Sequence, residues 1–286
     1  MCPRMCGADR SITVGCCGVP YEFKLARAAL HFWEEPPISG TRGSGTVFFS
    51  GCNLGCAFCQ NYSVSHGREG KIISEERLKE IFDELIASGA HNINLVCPTH
   101  YAQQLGKVLR EYKSSVPVVY NCGGYEKADT LKELEGLVDI YLPDLKYINS
   151  EKSRKYSGAP DYFDFACEAL LEMRRQCTED VYDSQGIMLK GMIVRHLILP
   201  SNTNQSIAIL DWIYNNLGKD TVISLMAQYT PYGKLDELPE LQRRITVREY
   251  EKVLSHAENL GFVNIFTQQP SAASEKFIPD FDLTGV

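Results

Sequence analysis

The chain has 286 residues, 44% of them hydrophobic and 23% charged, with eleven cysteines and a formal net charge of -7. This composition is that of a folded globular chain of one large or two modest domains, and it excludes intrinsic disorder, collagen and long coiled coil. No apolar run approaches the ~18 residues of a membrane span, the start Met1-Cys2-Pro3-Arg4 carries no apolar signal region, and no basic excess marks a nucleic-acid binder; the expectation is a cytoplasmic protein that binds neither membrane nor nucleic acid.

Residues 1–44 have no clear period and read as a Cys-containing N-terminal extension. An odd cysteine count in a long chain without a secretory signal argues against a disulfide framework and for metal binding or thiol chemistry. Cys2-Pro3-Arg4-Met5-Cys6-Gly7 and Gly15-Cys16-Cys17-Gly18 are two cysteine-bearing turns. Cys2, Cys6 and Cys17 are candidates to hold a second metal, as zinc or a further cluster; vicinal Cys16 and Cys17 point different ways, so one of them would ligate. Glu34-Glu35-Pro36-Pro37 opens a loop whose rigidity suits a wall beside a substrate or a cluster.

From residue 45 the pattern changes to alternating strands and helices. Thr46–Ser50 is a β-branched and aromatic strand ending at Gly51. Ser74 then caps a helix over 75–88, whose apolar set Leu78, Ile81, Phe82, Leu85 and Ile86 falls on one face. The unit recurs: strands are predicted over 92–97, 117–120, 138–142, 188–199, 222–226 and 263–266, and helices over 101–112, 127–134, 163–175, 205–217 and 247–260. Segments such as Ile193-Val194 and Leu197-Ile198-Leu199 are apolar on both faces, as parallel strands between helix layers are. The fold class is α/β, a partial (β/α)6 TIM-like barrel over residues 45–270, with 271–286 as a peripheral tail. Thr267-Gln268-Gln269 reads as the end of the last strand.

One loop concentrates the chemistry. Gly51-Cys52-Asn53-Leu54-Gly55-Cys56-Ala57-Phe58-Cys59-Gln60-Asn61 follows the first strand, at the barrel end where active sites lie. Three thiolates on one loop reach three corners of a cubane iron–sulfur cluster and leave one iron open, whereas an electron-transfer cluster takes four. Half of a zinc knuckle is the plain alternative, but that motif wants paired CxxC ends. Phe58, directly before the third cysteine, suits a wall against a flat ring.

CxxxCxxC with an aromatic before its last cysteine resembles the signature of the radical S-adenosylmethionine superfamily, and the chain is most similar there to activating enzymes of the pyruvate formate-lyase type. The resemblance covers roughly residues 45–268. It implies that Cys52, Cys56 and Cys59 hold a 4Fe-4S cluster whose open iron is chelated by S-adenosylmethionine. Reductive cleavage would then yield a 5'-deoxyadenosyl radical that abstracts hydrogen, the cofactor supplying the hard step and the protein binding, orientation and exclusion of water. An electron donor such as flavodoxin or ferredoxin is implied, as is a glycyl radical enzyme as substrate; the alternatives are modification of a small metabolite or peptide and, in another class, an iron–sulfur electron carrier with Cys97 or Cys122 as fourth ligand.

Other strand ends extend the resemblance. Asp144-Leu145-Lys146 is similar to a segment in which the lysine reaches the cofactor carboxylate and the aspartate lies near a monovalent cation; Lys146 is a compact cation suited to that task. Arg195 falls where the family turns an arginine into the barrel, and a charge inside an apolar strand needs a partner. Asn61, Asn121 and Gln228 are further candidates for contact with the cofactor, and the glycines after Asn121 permit close backbone approach. The chain departs from the family pattern after the second strand, where Val96-Cys97-Pro98-Thr99-His100 replaces a Gly-Gly-Glu segment, leaving Thr99 and His100 as candidates there.

Overall fold

Strands that are apolar on both faces need cover on each, and the amphipathic helices between them provide one layer. The computed structural model describes residues 2–267 and 279–286. Strand β1 (Phe23–His31) and the short helix α1 (Pro36–Ser39) lead into β2 (Ser44–Phe49), α2 (Tyr62–Ser65) and β3 (Lys71–Ile73). The repeat then runs α3 (Glu75–Ala87), β4 (Ile93–Val96), α4 (Ala102–Glu111), β5 (Val118–Cys122), α5 (Ala128–Lys132) and β6 (Ile140–Pro143). It continues with α6 (Ser150–Ser157), α7 (Tyr162–Gln176), β7 (Val181–Tyr182), β8 (Met188–Leu197), α8 (Thr203–Leu217), β9 (Val222–Met226), α9 (Val247–Leu260) and β10 (Ile265–Thr267).

Seven strands, β2, β4, β5, β6, β8, β9 and β10, are parallel neighbours in that order. They make six βα crossovers, and the sheet stays open: β10 ends one side, while beyond β2 it continues into antiparallel β1 and β3. The architecture is a mixed α/β partial barrel. Among the described residues no helix is long and apolar enough to cross a membrane.

Helix α3 shows how local rules seat an element. The Ser74 hydroxyl accepts from the Arg77 amide at 3.2 Å, and Glu75 and Glu76 sit in the positive first turn. Leu78, Ile81, Phe82 and Leu85 are buried with Val47, Phe49, Ile93 and Leu95 from the sheet, each contributing about 1.5–3 kcal/mol.

Two departures from the sequence expectation bear on the site. The range read as an aperiodic extension contains β1, nine residues long, six of which pair with β2. Its period-two signal is broken by a register shift between Leu25 and Arg27 and by three alanines with little β preference. The tail is not loose where it is described. The Leu283 amide donates to the Ala26 carbonyl and the Ala28 amide to the Thr284 carbonyl, and Phe281 packs edge-on against Phe48 with centroids 5.3 Å apart.

Candidate functional site

The cysteine loop leaves the C-terminal end of β2 through Gly51, at φ +80°, where a Cβ would run into the Cys17 carbonyl. The loop is held by backbone bonds rather than by its own secondary structure. The Gly51 amide donates to the Val64 carbonyl at 3.0 Å, the Cys52 amide to Cys17 at 3.3 Å, the Ala57 amide to Tyr156 at 2.8 Å and the Cys59 amide to Cys56 at 3.0 Å. Asn53 Nδ2 reaches the Tyr125 carbonyl at 2.7 Å. Helix α6, which has no apolar stripe to announce it, ends at Ser157, and the Ser157 hydroxyl donates to Cys56 Sγ at 3.0 Å.

Cys52, Cys56 and Cys59 line one wall of a cavity of about 260 Å³. Cys97, from the end of β4, lines it as well. A hydrogen bond from the Cys97 thiol lowers Cys52 to about 6, favouring the thiolate. Burial raises Cys56, and burial with the neighbouring Cys56 and Cys52 pushes Cys59 up to about 12. Deprotonated together, the three would repel one another, and a positively charged iron core would relieve that repulsion.

The facing wall is ionic. Arg195, on β8, donates through Nε to Asp144 at 2.9 Å and through Nη2 to Asn121 Oδ1 at 2.6 Å, and Nη1 lies 3.4 Å from Glu34. Lys146 Nζ donates to the other Asp144 oxygen at 2.5 Å. Burial pushes Asp144 up, but Arg195 and Lys146 outweigh it and hold the carboxyl below its usual range. Burial disfavours the Lys146 cation, and Asp144 more than restores it. Glu34 also accepts from Asn94 and Asn121, each at 3.2 Å, and its carboxyl is raised by burial. Deeper in the barrel, Glu35 Oε2 and Asn94 Oδ1 are buried without a hydrogen-bond partner.

The sequence candidates divide clearly. Cys52, Cys56, Cys59, Phe58, Asn61, Asn121, Asp144, Lys146, Arg195 and Gln228 all border the one cavity. Phe58 is buried among Tyr147, Tyr156 and Tyr229, with centroids 6.0 to 6.5 Å away. Thr99 and His100 do not border it: Thr99 donates to Glu126, and His100 Nε2 contacts the Ser50 carbonyl at 2.8 Å. Burial lowers His100 to about 3, so it is neutral. Both sit in the 3-10 turn after Pro98, which swings their side chains behind the strand ends. Cys2, Cys6 and Cys17 lie outside the cavity, and Gln268 and Gln269 outside the described residues. The Glu34-Glu35-Pro36-Pro37 stretch, read from the sequence as a wall beside a substrate or a cluster, brings Glu34 to the cavity; sequence reasoning missed the buried Glu126, which burial raises to about 8.

The donor set suits a cubane. Among the described residues no three ligating side chains surround a single ion, but a cubane asks each thiolate for its own iron at a separate corner. Gly123 faces the loop, and a Cβ there would lie 2.8 Å from Leu54 Cδ1, so any larger residue would push the Leu54 side chain aside.

Residues 46–189 match the radical SAM superfamily. The chain is 30% identical over 274 residues to the uncharacterized protein MJ0674 of Methanocaldococcus jannaschii, covering 93% of this chain and 75% of that one. Among solved structures, Streptococcus suis SuiB bound to precursor peptide SuiA aligns with a TM-score of 0.50 at 15% identity, over 76% of this chain and 46% of that one. A domain of pyruvate-formate lyase-activating enzyme from Bacteroides vulgatus aligns with a TM-score of 0.43 at 9% identity, over 60% of this chain and 94% of that one.

Proposed function

The chain belongs to the radical SAM superfamily, and from that premise we propose that it is an enzyme that holds a 4Fe-4S cluster on Cys52, Cys56 and Cys59, binds S-adenosylmethionine beside it, and abstracts hydrogen from a protein or peptide. The observation that carries this reading is the meeting, in one cavity, of three thiols from one loop with the Asp144–Lys146–Arg195 array across it. When bound, the reduced cluster and the sulfonium supply an electron and a hydrogen-abstracting carbon radical.

The chain's own residues have distinct tasks. Each of the three cysteines takes one iron. The Lys146 ammonium pairs with the cofactor's carboxylate, and Asp144 orients Lys146 and Arg195 together. Asn121 fixes the second face of Arg195. Phe58 and its ring of tyrosines keep water from the cluster side. The carboxylate oxygens of Asp144 are engaged by cationic side chains, and this reading places no monovalent cation there. A small electron-transfer protein of the flavodoxin or ferredoxin type would supply the reducing electron.

The finer reading is activation of a glycyl radical enzyme. It is supported by a sheet that stays open, which leaves a protein loop a way to the cavity. Modification of a peptide is the second reading, favoured by the alignment with a peptide-bound structure.

The test is anaerobic reconstitution followed by reduction with S-adenosylmethionine present. The expected result is about four irons and four sulfides per chain and release of 5'-deoxyadenosine, all lost in Cys56→Ala. Folded protein without iron and without the nucleoside overturns the reading. Electron paramagnetic resonance after incubation with a glycyl radical partner separates the two substrates: a glycyl signal supports activation, and its absence with every such partner favours the peptide.

A further inference from the structure

The four N-terminal cysteines are left unused by this function. None borders the cavity, yet they gather with one another. A Cβ on Gly15 would lie 3.3 Å from Cys6 Sγ and 3.5 Å from Cys17 Sγ, so both sulfurs lie beside this one glycine. Cys16 hydrogen-bonds Cys6 and feels the charge of Cys17, and Cys2 feels the charges of both Cys17 and Cys6. Cys16 is exposed and hydrogen-bonds Cys6, whereas Cys17 is buried and approaches from the Gly15 side.

The surrounding segment forms no helix or strand among its described residues and is tied down by side chains: Arg10 donates to the carbonyls of Val19, Pro20 and His100 and lies over the Tyr101 ring, and Val19 is buried. Residues 5–7 and 11–14 are exposed, and the described part of residues 2–22 forms only turns and bends. It nevertheless delivers a demanding contact. Arg4, between Cys2 and Cys6, donates to the carbonyls of Asn53 at 2.6 Å, Leu54 at 3.2 Å, Ser157 at 2.7 Å and Gly158 at 2.5 Å. Four carbonyls on one guanidinium tie the cysteine loop to the end of α6. The turns that carry Cys6 and Cys16 are the exposed part of the segment, and a metal staple there would hold them in place.

We propose that Cys2, Cys6, Cys16 and Cys17 bind one structural Zn²⁺ as a four-thiolate site, which fixes Arg4 and the Cys17 carbonyl against the Cys52 loop. Among the described residues no three ligands already surround one point; closing Zn–S bonds of ~2.3 Å requires the exposed Cys6 and Cys16 to turn about χ1. Binding replaces the four thiol protons with metal and releases them to solvent. The site is independent of the radical chemistry, because it shares no ligand with the Cys52, Cys56 and Cys59 trio.

The experiment uses the full chain carrying Cys52→Ala, Cys56→Ala and Cys59→Ala, which removes the other thiol site, loaded with zinc alone and then with Co²⁺ as a spectroscopic substitute. About one zinc per chain and a thiolate-to-cobalt charge-transfer band are expected. Adding Cys6→Ser or Cys17→Ser should abolish both, and adding Cys167→Ser, on α7, should change neither. Should the triple variant fail to fold, differential alkylation of the wild-type chain answers the same question: Cys2, Cys6, Cys16 and Cys17 should resist labelling until a chelator is added. Zinc absent, zinc retained in Cys6→Ser and Cys17→Ser, or labelling indifferent to chelator overturns the proposal. So does wild-type protein with about eight irons per chain, which would assign these thiols to a second cluster.

Discussion

Cys97 and Glu126 show what single side chains do behind the thiol wall. Cys97 holds φ +59°, a strained value for a non-glycine residue, and its sulfur also lies 3.5 Å from the Gly51 carbonyl, which competes with Cys52 for the one thiol proton. Because its bond to Cys52 is the main cause of the low Cys52 value near 6, Cys97→Ala should raise the pH at which apo-protein Cys52 reacts with iodoacetamide. Cluster content should persist in Cys97→Ser; its loss there would make Cys97 a fourth ligand and support an electron carrier instead. Glu126 is a buried carboxyl that accepts from Thr99 and Tyr120 and is raised by burial to about 8. The folded chain therefore keeps a proton that the unfolded chain loses near pH 4.5, so Glu126's contribution is full below that pH and fades as pH rises through about 8. Glu126→Gln should flatten the decline of the urea midpoint over that window; an unchanged slope would assign the decline to other groups.

Helices carry a second level of instruction. The last, α9, begins with a reciprocal cap: Thr246 Oγ1 accepts from the Glu249 amide at 3.2 Å, and the Glu249 carboxylate accepts from the Thr246 amide at 2.8 Å. Thr246→Ala should lower stability by about 1 kcal/mol in urea titration and leave the yield of 5'-deoxyadenosine per cluster unchanged, since the cap is remote from the cavity. The helix was legible from residue 247 to 260 because cap, apolar stripe and terminal Gly261 agree. Helix α6 was not legible. Its sequence Ser150–Ser157 is polar apart from Tyr156, and it forms because Asn149 caps it at 3.0 Å, Gly158 ends it in the left-handed region, and Tyr156 and Ser157 bury against the cysteine loop.

Across the molecule, the open sheet makes its flank a matter of stability. Residues 279–286 lie along β1, with Pro279 at the cavity, Phe281 on Phe48 and Asp282 2.9 Å from Arg27. The Asp282 end of that ion pair is exposed, so the pair contributes little, whereas the aromatic contact and the two backbone bonds contribute more. Deleting residues 281–286 should cost about 2 kcal/mol in urea unfolding; an unchanged midpoint would return the tail to the peripheral role expected from its sequence.

What the sequence determined by itself was local: seven parallel strands and most of the larger helices, from periods of two and 3.6 and their caps, and the thiol trio, from a spacing within one loop. Neighbouring residues report such things directly, because one turn or one pleat sets their geometry. Only the tertiary structure brought Glu34 to Arg195, 161 residues apart, set Cys97 on Cys52, and turned Thr99 and His100 away from the cavity. Those outcomes depend on how strands register and which way each rim loop leaves its strand, and no short window of residues encodes either. The inward charges were visible as charges, but their partners became known only when the parallel strands placed Asp144, Lys146 and Arg195 on the same rim.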